Sequence, residues 1–273
     1  MTYSFATEFR RQASRRRTHL ALGFMVVLPL IILAAFQFDT GGDDDNGNGQ
    51  FASLVDLATS GGLNFTLFTI FVSASFLLVV VIALFFGDTV ASEASWGSLR
   101  YLLAAPVPRA RLLGIKLAVA LAYSVLALLI LAGTALLIGT LRYGWSPLSS
   151  TIAAEIPPAE GLARLAAILG YLLLTLLVVG GLAFLLTVST DAPLGAVGGA
   201  VLLFILSSIL DQITALGVLR LFLPTHWGDA WLGLLTTPVQ SDDMVRGAIA
   251  ALVYCTGFSA LAFYRFLRKD IVS

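Results

Sequence analysis

The sequence predicts an all-α membrane protein with six transmembrane helices. Three observations carry that reading: the composition, the spacing of long apolar runs, and the sorting of charge between the runs. Of 273 residues, 58% are hydrophobic and 12% are charged, with a mean hydropathy of +0.94. A soluble domain carries roughly a quarter charged residues, about twice this share. The few charges stand between apolar runs and cannot coat a water-facing surface. The zero net charge hides this segregation, so the total implies neither a nucleic-acid partner nor an acidic tail.

Taken in order, residues 1–17 read as a cytoplasmic interfacial segment, with Phe5 and Phe9 one helical turn apart ahead of Arg15, Arg16 and Arg17. The first span follows at 18–38. Arginines before an apolar stretch imitate a signal peptide, but the stretch is longer than a signal core. No small-x-small cleavage site precedes Asp39, so the span reads as retained. Residues 39–49, rich in Gly, Asp and Asn, read as an exposed loop that lacks the EF-hand spacing and its terminal Glu. A helix needs about 20 apolar residues to cross a bilayer, and five more runs qualify: 65–87, 114–141, 165–188, 194–212 and 247–267. The stretch 216–235 is interrupted by Arg220, Pro224, His226 and Asp229, so it is expected to re-enter or lie on the membrane as an outer hairpin.

Basic residues concentrate on cytoplasmic flanks. With the N-terminus inside, twelve of the 16 basic residues fall on inner segments, while Asp43, Asp44, Asp45, Glu155, Glu160, Asp242 and Asp243 fall outside. Both termini are then cytoplasmic. Tyr143, Trp145, Trp227 and Trp231 are expected at the outer interface, and Trp96 and Tyr101 at the inner one.

The cytoplasmic segment 88–111 is the most informative. Val90, Trp96, Leu99 and Leu103 recur near helical spacing with Glu93 and Arg100 on the polar side, and Pro106 and Pro108 end the pattern. Amphipathicity alone fits an ordinary interfacial connector equally well. Glu93, Gly97, Ser98, Leu99 and Arg100, then Leu103, Pro106, Arg109 and Lys116, resemble the E-x-x-x-G-[ST]-L-R…L…P…R…K signature after the second span of ABC-2 type transporter permeases. The layout of nearly the whole chain is similar to that family.

The resemblance implies an ABC-2, type V exporter-like fold and no enzymatic activity in this chain. In it, 93–103 forms a coupling helix, with Glu93, Trp96, Gly97, Leu99, Arg100, Leu103, Pro106 and Arg109 serving a separate ATPase present in two copies. It also implies a second permease subunit, identical or homologous, and an N-terminal elbow helix. For the arginines of that helix, anchoring to anionic lipid is an equal reading. No G-x-x-x-x-G-K-[ST] loop is present, so ATP and Mg are expected only through the partner. The arginine-rich composition and the family point to a bacterial or archaeal plasma membrane.

Cys255, His19 and His226 form no metal-type cluster in the sequence. Thr66, Thr69 and Ser73 share one face of the second span, where they either line a substrate path or pack helices. Ser207, Ser208 and Asp211, beside Gln212, form a second candidate lining. Asp211 is functional if it lies within the membrane and inexpensive if it lies at the interface. Pro224, His226, Trp227 and Trp231 resemble the family's outer gate, with His226 read as a satisfied interfacial histidine. Spans almost free of charge favour a hydrophobic or amphipathic cargo, such as a drug, lipid or glycolipid, moved by alternating access. The competing classes are an ion-coupled carrier, for which Asp211 is too isolated, and a lipid-modifying enzyme, for which no His, Asp or Glu cluster is seen.

Overall fold

A computed structural model describes residues 4–38, 49–97, 107–149 and 155–268. Among them the regular structure is helical, with one isolated antiparallel bridge between Leu148 and Ile156. The elements are α1 (Phe5–Ala13), α2 (Arg16–Phe38), α3 (Gly49–Thr59), α4 (Gly62–Ala74), α5 (Leu77–Gly87), α6 (Ala91–Ser95), α7 (Arg109–Tyr143), α8 (Pro158–Ser189), α9 (Pro193–Asp211) and α10 (Asp242–Arg268). Two 3-10 segments, Thr214–Phe222 and Ala230–Leu235, lie between α9 and α10.

Five helices, α2, α7, α8, α9 and α10, are long and apolar enough to cross a membrane. The pair α4–α5 makes a sixth if it is taken as one broken span. The chain is therefore a multi-pass membrane protein. Helix α8 is its axis: 61% of its apolar window is buried, against 17% for α9 and for α10, which present most of their apolar surface outward.

The second span departs from the expected single helix over 65–87. It bends by 59° between α4 and α5, although neither Pro nor Gly occurs from 63 to 86. Hydroxyls lead into the bend instead. Thr66 donates to the Gly62 carbonyl, Thr69 to Phe65 and Ser73 to Thr69, at 2.8, 2.9 and 2.5 Å. Such back-bonding competes with the helix ladder and bends helices. The bend gives each half its own partner: α4 packs chiefly on α7, and α5 chiefly on α8 and α9. Gly62 permits the first contact, because a Cβ there would stand 2.7 Å from the Thr140 backbone nitrogen.

Two faces follow from the contacts. One gathers α1, the 88–97 turn, the start of α7, the end of α8 and the end of α10, where Arg265 donates to Ser189 Oγ at 2.9 Å. The opposite face gathers Ser60, Thr140, Ser146, Leu148 and the start of α8. Helix α3 adds a feature that the sequence reading did not anticipate. The loop expected at 39–49 lies, but for Gly49, outside the described residues. The 216–235 stretch forms no spanning helix, as expected, but Trp231 is 1% exposed and packs edge-on against Phe71. Expected among interfacial aromatics, the ring is instead packed inside the chain beside the bent span.

Candidate functional site

The amphipathic pattern at the N-terminus folds as α1. Ser4 caps it by accepting from the Thr7 amide at 3.3 Å, with Glu8 in its first turn and Arg10 and Arg11 in its last, matching the helix dipole. Its apolar side docks through Phe9, stacked on Tyr123 at 4.6 Å between ring centres. Its polar side enters a buried ionic node. Lys116 Nζ, fully buried, donates to Glu93 Oε1 at 2.6 Å, Glu8 Oε1 at 3.1 Å and the Thr89 carbonyl at 3.0 Å. Arg11 pairs with Glu93 and, at 2.6 Å, with Glu8. Arg15 and Arg17 hold the two oxygens of Asp88 at 2.8 and 2.6 Å. Burial pushes the Asp88 carboxyl above its ordinary range, against the charges and hydrogen bonds of those arginines. Glu8 and Glu93, facing Lys116 and Arg11, compensate for desolvation that either sign alone would not bear.

This node revises the expected coupling helix. Helix α6 ends at Ser95, and Gly97 at φ 66 takes the left-handed conformation that stops it, so no continuous helix runs through 93–103. Glu93, expected on a polar outer side, is 3% exposed inside the node. Trp96 stands 83% exposed just beyond it, and Arg109 opens α7. Leu99, Arg100, Leu103 and Pro106 lie outside the described residues. Thr187 of α8 accepts from the amides of Val90 and Ala91 at 3.3 and 2.9 Å, serving donors that α6 cannot. Spans almost free of charge were expected, but Lys116 sits one to two turns inside α7.

Thr66, Thr69 and Ser73 are at most 1% exposed, with hydroxyls turned to their own backbone. They face the interior of this chain. Of the two readings open at the sequence level, packing is the one their geometry matches.

The other candidates converge. A cavity of about 250 Å³ lies at the bend of the second span. Its walls take Phe71 and Ser75 from the bend, Thr175 from α8, Ser208 and Asp211 from α9, and Pro224, His226, Asp229 and Trp231 from the hairpin. Thr175 is 17 residues from the start of α8 and 14 from its end, so at 1.5 Å per residue it stands about 25 and 21 Å from the two ends, near the middle of that helix. Asp211 is not isolated. Its Oδ1 lies 2.6 Å from His226 Nδ1 and 3.5 Å from Arg220 Nε. Ser207 and Thr225 hydroxyls meet at 2.8 Å, and Tyr171 donates to the Trp227 carbonyl at 2.6 Å, so the hairpin is tied down to α8 and α9.

The profile of a family described as a protein of unknown function (DUF2705) matches residues 24–272. The chain belongs to that family. The match opens inside α2, so it takes in the cavity, Asp88, Glu93 and Lys116, while Glu8 and the N-terminal arginines lie ahead of it. No curated protein matches the sequence.

In this DUF2705 chain the sequence reading missed Glu8, Arg11 and Asp88 as node members, and Arg220, Asp229 and Phe71 as cavity neighbours. A lysine opening an apolar run was a usable signal, since a buried cation demands a partner. Nothing local in the sequence said that the partner would be Glu8.

Proposed function

We propose that this chain is the permease subunit of an ABC-2 type ATP-driven exporter of hydrophobic or amphipathic substrates. In this reading a separate ATPase, two copies per transporter, binds ATP and Mg, and a second permease, identical or homologous, completes the path by alternating access. The chain sits in a bacterial or archaeal plasma membrane with the node face and both termini cytoplasmic.

One observation carries the reading. The 88–97 turn is joined by buried ion pairs to α1 and α7 and continues directly from α5, while Trp96 projects from it unsupported. A partner that grips Trp96 and the residues after it displaces several helices together, because breaking the node would strand charges in a dry site. Exposed tryptophans of this kind are frequent anchors of protein contacts.

The test is co-purification of the detergent-solubilised chain with candidate ATPases. Trp96→Ala leaves the node intact and is expected to weaken capture at least tenfold. Failure of every ATPase to associate with a folded chain would remove the proposal. A second reading, a proton-coupled carrier, is favoured by the Asp211–His226–Arg220 cluster beside the cavity. Substrate uptake driven by an imposed pH gradient, in liposomes holding this chain alone, would select it.

A further inference from the structure

The walls of the cavity at the bend carry two carboxylates, Asp211 and Asp229, one imidazole, and no lysine or arginine. Asp211 is compensated by Arg220 and His226. Asp229 is exposed, lines the same space, and has no ion-pair partner among the described residues. Aromatic faces stand nearby, from Phe71, Phe204 and Trp231. An organic cation is attracted both by a carboxylate and by the quadrupole of such rings.

A second cavity of about 260 Å³ adjoins this one and is lined almost wholly by apolar side chains, among them Leu57, Leu67, Phe68 and Leu235. Phe71 and Trp231 line both. Each cavity alone is small for a drug-sized ligand, whereas the two together fall within the usual range of roughly 300–1,000 Å³. Trp231, 1% exposed, stands where the linings of the two cavities meet.

We propose that the paired cavities bind an amphipathic organic cation, its charge beside Asp229 and its apolar body past Trp231 into the second chamber. This names the substrate class of the transport reading and rests on it for its physiological meaning. The binding itself requires no ATPase.

The test is saturable, displaceable binding of radiolabelled tetraphenylphosphonium to the full chain in nanodiscs, with empty nanodiscs as background. Tetraphenylborate, of matching size and opposite charge, is the comparator and needs no variant. Wild type is expected to prefer the cation at least tenfold. Asp229→Asn should lose most of that preference, and Asp229→Glu should keep it. Equal binding of both tetraphenyl ions, or a cation preference that survives Asp229→Asn, overturns the proposal. Because the measurement uses the chain alone, failure to capture an ATPase and failure to bind the cation are separate results.

Discussion

Lys116 is fully buried, and its ammonium holds together groups from three parts of the chain: Glu8 on α1, the Thr89 carbonyl after α5, and Glu93 on α6. Removing it takes from Glu8 and Glu93 the buried cation that both contact, leaving Arg11 and the more distant Arg15 on that side. Lys116→Ala is therefore expected to destabilise the fold by about 3–5 kcal/mol, the range for breaking a buried pair on one side. Replacing one charge of each sign, as Lys116→Met with Glu93→Gln, should recover part of that loss, since Glu8 keeps its pair with Arg11. Thermal unfolding of the solubilised chain measures both. A single variant that melts with wild type would show the node to be open to water. At the same scale, the resemblance singled out Glu93 and Lys116 from the sequence but gave no hint that they touch, because a 23-residue separation has no fixed geometry.

The elements that matter most are those whose regularity breaks. The second span was legible as an apolar run and illegible as a bend, because neither Pro nor Gly marks it and the Thr66, Thr69 and Ser73 stripe reads as a path or a packing face with equal ease. Close contact of its outer half with α7 depends on Gly62. Gly62→Val should cost about 1–3 kcal/mol by overpacking, since its side chain would meet Thr140 backbone atoms at 2.7–2.8 Å. The hairpin depends on Gly247 of α10. A methyl group there would meet the Tyr171 hydroxyl and approach Trp227 Cβ at 2.6 Å. Gly247→Ala is expected to lift the hairpin and raise amide exchange over 223–235, with little change in α7. Unchanged exchange in that stretch would mean that α10 moves aside instead.

At the scale of the whole molecule, six crossings with the bent pair counted once return the chain to the side where it began, which places the basic node and the end of α10 together. In the proposed reading that side is the cytoplasm, where basic flanks concentrate. In a Cys255→Ser background, Trp145→Cys should react with a membrane-impermeant maleimide on intact cells. Ala192→Cys, in the turn between α8 and α9, should react only after the membrane is opened. Labelling of Ala192→Cys from outside would invert the topology and take the coupling role of the 88–97 turn with it.

The sequence by itself determined the solvent, the number of apolar runs and the sidedness expected of them, because hydrophobic transfer adds up over each run of about 20 residues and needs no knowledge of neighbours. Tertiary structure alone decided which charges meet, as Glu8 and Lys116 do across 108 residues. It also decided where the second span bends, and that Phe71, Asp211, His226 and Trp231 line one cavity. Those outcomes depend on how distant helices are brought together, and a buried charge or a gap at a bend is resolved by whichever side chain the packed bundle places beside it.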